Sequence, residues 1–282
     1  MPLVKLFMGV DPGLRRLVRK GIAGHHDEQV EKLRQSCSLP NVIIIGAAKS
    51  ATTTITDILP RHPDCFVSKP KEPKFFGRYY SKGWDWYGSR FSAGSGKSIR
   101  CEGSTMYSSS LPFYKNTPAL LHRCIPDAKL IYIVRNPLDR IVSQWRHVKG
   151  RQQNIASFDE IMSDKKLKRL IVGCSLYYHQ LQRFRQFFPD DQIHCLAFED
   201  LVASPKVTLK TLLSFLQIPT SVGKLLDDGK LPRSNEAGDK GRLFVPPPNW
   251  AAHVKDDVLS YLREDSCAIL DYLGKPSSFW SY

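Results

Sequence analysis

The stretch from Val42 to Thr54, VIIIGAAKSATTT, constrains this chain more than any other. Four apolar β-branched residues, Val42 to Ile45, favour a buried strand, because branching at Cβ suits a pleated backbone and no polar residue alternates with them. Gly46-Ala47-Ala48 admits a tight turn, and the segment from Thr53 to Leu59 carries Ile55 and Leu59 at helical spacing. A strand that turns directly into a helix aims backbone N–H groups and the positive end of a helix dipole at one place. Lys49 adds a full cation there, and Ser50, Thr52 and Thr53 add hydroxyl donors. The junction suits a phosphate.

The same alternation continues along the chain. Asp64 to Ser68, Ser98 to Glu102, Lys129 to Val134 and Gln192 to Phe198 read as further strands. Helices are expected to close at Leu120 to Cys124, to start at Pro137, and to cover Cys174 to Phe188, Ser204 to Leu216 and Asp256 to Leu273, where apolar residues recur every three or four positions. Pro137 and Pro205 each suit the first position of a helix. Residues 149–170 and 219–250 show no period, and no internal repeat is present. Strands alternating with helices predict a single α/β domain with a mainly parallel sheet flanked by helices. Residues 1–38 are basic and weakly amphipathic, with Leu14, Leu17, Val18 and Ile22 among Arg15, Arg16, Arg19 and Lys20, and are expected to form a helical extension.

In an open parallel sheet, ligands bind beyond the carboxyl ends of the strands. Lys49 occupies one such end and Arg135 another. A guanidinium there must find an anion, which a planar fork of donors binds well. The segment Lys69-Pro70-Lys71-Glu72-Pro73-Lys74 holds one carboxylate among three lysines, and its two prolines exclude a regular helix or central strand. It is read as a fixed loop carrying a candidate base. The aromatic segment 79–91 (Tyr79, Tyr80, Trp84, Trp86, Tyr87, Phe91) suits either the wall of a substrate cleft or a packed cluster under a loop.

Composition narrows the partners. Lys and Arg total 41 against 27 Asp and Glu, a net charge of +14, which favours an anionic partner. Seven cysteines, an odd number without a C-x-x-C pair, argue against a disulfide scaffold or a zinc site and favour a reducing compartment. No apolar run reaches the roughly 18 residues of a membrane span, and no signal-peptide core precedes Arg15 and Arg16. A cytoplasmic location is expected, or the Golgi lumen for a fragment separated from an anchor. The junction is also unlike a nucleotide-triphosphate loop: Gly46 lies only three residues before Lys49, and no glycine precedes the lysine. A kinase reading further lacks an evident magnesium carboxylate. A non-catalytic binder of anionic polymers remains compatible with the charge.

The ordered set of a strong strand, Lys49-Ser50-Ala51-Thr52-Thr53, a later strand ending in Arg135-Asn136-Pro137, and Ser143 on the following helix resembles the PAPS-dependent sulfotransferase family, where PAPS is 3′-phosphoadenosine 5′-phosphosulfate. The likeness runs from about Asn41 to about Leu273 and is strongest to the heparan sulfate sulfotransferase branch and its bacterial relatives. It implies a P-loop-like sulfotransferase domain over residues 39–282 and PAPS as co-substrate, with 3′-phosphoadenosine 5′-phosphate as product. It implies no metal, no nucleic-acid partner and a small-molecule or glycan acceptor, the small molecule being preferred, and leaves the oligomeric state open. By the same resemblance, Lys49, Ser50, Ala51, Thr52 and Thr53 surround the 5′-phosphosulfate, and Lys49 follows charge onto the leaving oxygen. Arg135 and Ser143 hold the 3′-phosphate, Tyr177 contacts adenine, and Lys240-Gly241-Arg242 folds over the 3′-phosphate. Glu72, just before Phe75-Phe76, matches the catalytic glutamate of the heparan sulfate branch. No histidine stands in Gly103-Ser104-Thr105-Met106-Tyr107, where the aryl sulfotransferases carry theirs. Two departures concern the acceptor side: the branch's Glu-Lys-Ser/Thr reads Glu102-Gly103-Ser104, and its histidine two residues after the base is Lys74.

Overall fold

The structure, a computed structural model, describes residues 31–32, 39–151, 154–232 and 243–282. The expected basic extension over residues 1–38, apart from 31–32, and Lys240-Gly241-Arg242 lie outside the described residues. The chain forms β1 (Val42–Gly46), α1 (Thr52–Ile58), β2 (Cys65–Val67), α2 (Trp84–Gly88), β3 (Ile99–Glu102), α3 (Thr117–Cys124) and β4 (Lys129–Val134). It continues with α4 (Pro137–Lys149), α5 (Phe158–Ser163), α6 (Lys165–Val172), α7 (Tyr177–Arg185), β5 (Ile193–Ala197), α8 (Phe198–Ala203), α9 (Pro205–Leu216) and α10 (Ala252–Tyr272).

The strands form one sheet in the order β2-β3-β1-β4-β5, every pair parallel. Val42 lies opposite Cys101 on one side and Lys129 on the other. The two-residue period of the strands sorts their side chains onto two buried faces. Ile43 and Ile45 join Leu130, Tyr132 and Val134 in one cluster, closed by Leu121, Leu181, Phe184, Ile269 and the aromatic segment. Val42 and Ile44 join Ile131 and Ile133 in the other, under Ile55, Ile58 and the α9 leucines 209, 212, 213 and 216. A fully buried Leu or Ile contributes about 1.5–3 kcal/mol. That stripe, rather than intrinsic propensity, holds a twelve-residue helix that would be marginal alone in water. A third cluster gathers Leu138, Ile141 and Trp145 of α4 against α5, α6 and the first half of α10.

Three expectations need adjustment. The period-free stretch 149–170 contains α5 and α6, six and eight residues long, too short to display a period. Their signals are caps: Ser157 and Glu160 form a capping box, and Asp164 accepts from the Lys166 and Leu167 amides. The helix expected from Cys174 starts at Tyr177, because Gly173–Ser175 wind as a single 3₁₀ turn and Leu176 breaks at ψ 74°. The aromatic segment is core and not a cleft wall: Tyr80, Trp84, Tyr87 and Phe91 are buried with Phe75 and Phe76, and Phe75 stacks on Tyr87 at 4.3 Å.

Candidate active site

Chain order places a topological switch at β1. From β1 the chain runs to β2, returns to β3, and then crosses to β4 on the opposite side of β1. Loops leaving neighbouring strands on either side of such a point part and open a crevice at the carboxyl edge. A cleft of about 1230 Å³ lies there, lined from all five strand ends by residues that include Lys49, Lys71, Thr105, Arg135 and Phe198.

At one end stands the loop after β1. Lys49 and Ala51 hold left-handed backbone, with φ of 75° and 59°, a conformation costing a non-glycine residue about 1–2 kcal/mol. The fold holds it there from the sheet: the Ala47 amide donates to the Ile133 carbonyl at 2.8 Å, and Arg135 Nη1 donates to the Lys49 carbonyl at 3.3 Å. No side chain caps the start of α1. Ser50 is fully buried, and its hydroxyl has no hydrogen-bond partner among the described residues.

Arg135 leaves β4 with its guanidinium 4.5 Å over the Phe198 ring and 3.7 Å from Asp139, and its Nε is buried without a hydrogen-bond partner among the described residues. Asn136 caps α4 by accepting from the Leu138 and Asp139 amides, with Pro137 at the first helical position. That cap orients α4 so that Ser143, Gln144 and His147 line the cleft with Arg135 and Arg151. Two guanidinia and a hydroxyl converging on one end of a cleft suit a phosphate.

The other end carries Glu72. Lys74 Nζ sits 3.1 Å from Glu72 Oε2, Lys71 Nζ 3.9 Å from Oε1, and Thr105 Oγ1 donates to Oε1 at 3.3 Å. Lys71 Nζ also donates to Thr53 Oγ1 at 2.6 Å, so one ammonium ties the candidate base to the phosphate loop. Lys69 and Arg78 add further cations, while Met106, Leu111, Phe113 and Tyr114 supply an apolar wall.

Behind this loop lies Glu102, fully buried. Burial pushes its carboxyl up to about 7, against the pull of the Ser104, Tyr87 and Tyr107 hydroxyls that donate to it. The next residue explains one departure from the heparan sulfate branch. A Cβ at Gly103 would lie 2.7 Å from the Thr56 methyl, and Thr56 is fixed because its hydroxyl donates to the Thr52 and Thr53 carbonyls. A lysine at 103 does not fit beside that methyl.

Of the residues singled out from the sequence, Lys49, Ala51, Thr52, Thr53, Glu72, Arg135 and Ser143 line one cleft. Ser50 is buried beside it. Tyr177 is not among the residues that line this cleft: it packs 6.3 Å from Tyr132 and 6.0 Å from Trp280, because it shares the apolar face of α7 with Leu181 and Phe184. Sequence reasoning passed over Arg140, fully buried without a carboxylate, which donates from Nε to Ser175 Oγ at 2.6 Å and from Nη2 to the Ile171 carbonyl. A polar residue flanked by Asp139 and Ile141 gives no sign that it turns inward. Among the described residues, no group of three or more His, Cys, Asp or Glu is placed to hold a metal ion, and no helix is long and apolar enough to cross a membrane.

Comparison with known proteins identifies the family. The family model described as the sulfotransferase domain matches residues 39–231. The bifunctional heparan sulfate N-deacetylase/N-sulfotransferase 1 of Caenorhabditis elegans is 28% identical over 84% of this chain and 30% of its own length. The human heparan sulfate glucosamine 3-O-sulfotransferase 5 is 27% identical over 75% of this chain and 62% of its own. The chain thus spans less than two thirds of these curated relatives. In structure, a sulfotransferase from Alicyclobacillus acidocaldarius superposes with a TM-score of 0.69 at 22% identity, over 86% of this chain and 98% of that one, and shows the same fold. With well over half its length matched by the domain model, the chain belongs to the sulfotransferase family.

Proposed function

We propose that this protein transfers a sulfuryl group from PAPS to a hydroxyl or amine of an anionic acceptor, with Glu72 as general base. The observation that carries the reading is the contact of Lys71 with both Thr53 and Glu72, which sets a base one ammonium away from a phosphate loop. The lining fits the donor at both ends. Lys49, Thr52 and Thr53 face the 5′-phosphosulfate, and Arg135 and Ser143 face the 3′-phosphate.

In the transfer, the acceptor oxygen or nitrogen bonds to sulfur as its proton passes to a Glu72 carboxylate oxygen. The bond from sulfur to the bridging oxygen breaks, and its electron pair stays on the 5′-phosphate of the product. Lys49 stabilises the charge that grows there, a task for a preplaced cation. Glu72 takes up the proton as the acceptor attacks in line.

Four cations, Lys69, Lys71, Lys74 and Arg78, line the base end. The lining answers them with two carboxylates, Glu72 and Asp57, and the net positive charge favours an acceptor that brings its own anions. Relatives named for heparan sulfate support an acidic glycan. The apolar wall of Met106, Leu111, Phe113 and Tyr114 favours a second reading, an aromatic or aliphatic small molecule with one anionic group.

The test incubates the protein with PAPS and either chemically desulfated heparan sulfate, which carries free amines and hydroxyls, or a panel of anionic phenols and alcohols. Transfer is followed by mass spectrometry, with ATP and magnesium as control. Sulfation of the glycan supports the first reading and sulfation of the panel the second. Tight binding of heparan sulfate with no preference for the PAPS product over AMP would leave only a binder of anionic polymers.

A further inference from the structure

Glu72 sits on a loop with no regular secondary structure, yet that loop is pinned at three backbone groups by one short turn. The Gly103 amide donates to the Lys71 carbonyl at 2.8 Å. The Lys74 amide donates to Ser104 Oγ at 2.9 Å, and the Phe76 amide donates to the Tyr107 hydroxyl at 3.1 Å. Lys74, at the middle pin, holds a left-handed φ of 53° and places its ammonium on Glu72.

Both hydroxyls in this set also donate, and to the same group. Ser104 Oγ donates to Glu102 Oε2 at 2.5 Å and the Tyr107 hydroxyl to Glu102 Oε1 at 3.1 Å, joined at Oε1 by the Tyr87 hydroxyl at 2.7 Å. A hydroxyl has one proton. While Glu102 takes the protons of Ser104 and Tyr107, their lone pairs are left to face the Lys74 and Phe76 amides. The carboxylate thereby sets the direction of both hydroxyls, and the hydroxyls set the path of the loop just after the base.

We propose that Glu102 is a positioning residue for Glu72: through Ser104 and Tyr107 it holds the 74–76 backbone so that the base meets the acceptor proton. The proposal rests on reading Glu72 as the base. It gives the buried carboxylate a role in turnover although it does not line the cleft. A misplacement of about 1 Å at a reacting group costs about a hundredfold in rate, so a support of this kind is expressed in kcat.

The first test needs no acceptor. Amide hydrogen exchange is measured by NMR for wild type, Glu102→Gln and Ser104→Ala. The Gln side chain keeps the shape of Glu102, but its NH₂ cannot accept a proton, so one hydroxyl must turn. Exchange at Lys74 and Phe76 is expected to quicken about tenfold or more, as befits a local opening, while β1 and β4 amides keep their rates. Unchanged exchange at Lys74 and Phe76 in both variants overturns the proposal, as does quickening spread evenly over the sheet. If Glu102→Gln does not fold, Ser104→Ala decides, since it cuts one relay and leaves the carboxylate in place.

The second test measures turnover with PAPS and desulfated heparan sulfate, or whichever panel compound is sulfated. Both variants are expected to lose about ten- to a hundredfold in kcat, with the dissociation constant of 3′-phosphoadenosine 5′-phosphate within twofold of wild type. Wild-type kcat in both overturns the positioning role. Glu72→Gln separates the two failures: if it is inactive while the Glu102 and Ser104 variants work normally, only the positioning role falls. If it retains full activity, the base assignment falls.

Discussion

At the donor end of the cleft, Lys49 and Arg135 each follow a buried strand within a few residues, and the sheet itself sets where they stand. At the base end, Glu72 follows the three-residue strand β2 by five positions, and the backbone just after it is held by side chains 30 to 41 residues beyond the groups they bond. Ser104, Tyr107 and Thr117 each hold the 74–76 backbone through a hydroxyl, Thr117 by donating to the Phe76 carbonyl at 2.7 Å. One end is built by topology and the other by a buried polar network. The difference predicts that damage to the two ends separates into binding and turnover.

The largest effect is expected at the base. Glu72→Gln should lower kcat by about 10²–10⁴-fold, the usual contribution of general-base catalysis, and leave product-nucleotide affinity unchanged by calorimetry. An equal loss of nucleotide affinity in this variant would erase the distinction between the two ends.

That split also marks how far the sequence was legible. β1, β4, α9 and α10 were readable because their apolar periods are long and uninterrupted. The placement of Lys49 and Arg135 at the cleft was readable because a charged residue within three positions of the end of a buried strand has few places to go. The burial of Tyr177 was not readable, because an aromatic residue at a helix start reads alike whether it faces a cleft or the core. The Glu102 network was out of reach: Ser104, Tyr107 and Tyr87 are ordinary residues, and only the fold brings them to one carboxylate.

The next effect in size concerns that network and pH. Glu102 has its carboxyl raised from an ordinary 4.5 to about 7, chiefly by burial. The folded state therefore holds this proton more tightly than the unfolded state. Its stabilising contribution is complete below about 4.5 and is lost as pH rises through about 7. The loss amounts to about 3 kcal/mol. Urea unfolding at pH 5 and pH 8 should show wild type losing more stability than Glu102→Gln by about that amount. Equal slopes for the two proteins would mean that the carboxyl titrates at its ordinary value.

Arg135→Ala probes the donor end with a smaller loss. Removing a charge-assisted hydrogen bond should weaken binding of 3′-phosphoadenosine 5′-phosphate by about 1.5–3 kcal/mol and abolish any preference for it over AMP. Exchange at Lys74 and Phe76 should stay at wild-type rates, because Arg135 contacts the Lys49 carbonyl and not the base loop. Faster exchange there would show that the two ends are mechanically one.

The smallest effect tests the seam where the ends meet. Gly103 lies against Thr56 of α1, and its φ is not left-handed; an added Cβ would meet the Thr56 methyl at 2.7 Å and Ile44 at an ordinary 3.8 Å. Gly103→Ala should cost about 1–2 kcal/mol, as overpacking of a close contact does. Thr56→Ser removes the methyl and keeps the hydroxyl that bonds the Thr52 and Thr53 carbonyls. Combined, the two substitutions should cost less than Gly103→Ala alone, and a double-mutant cycle from urea melts measures the recovered part. A cycle with no coupling would mean that the turn yields by moving the Gly103 backbone. The Gly103 to Lys71 hydrogen bond would then break with it, and the loss would appear in kcat at the base end rather than in stability at the seam.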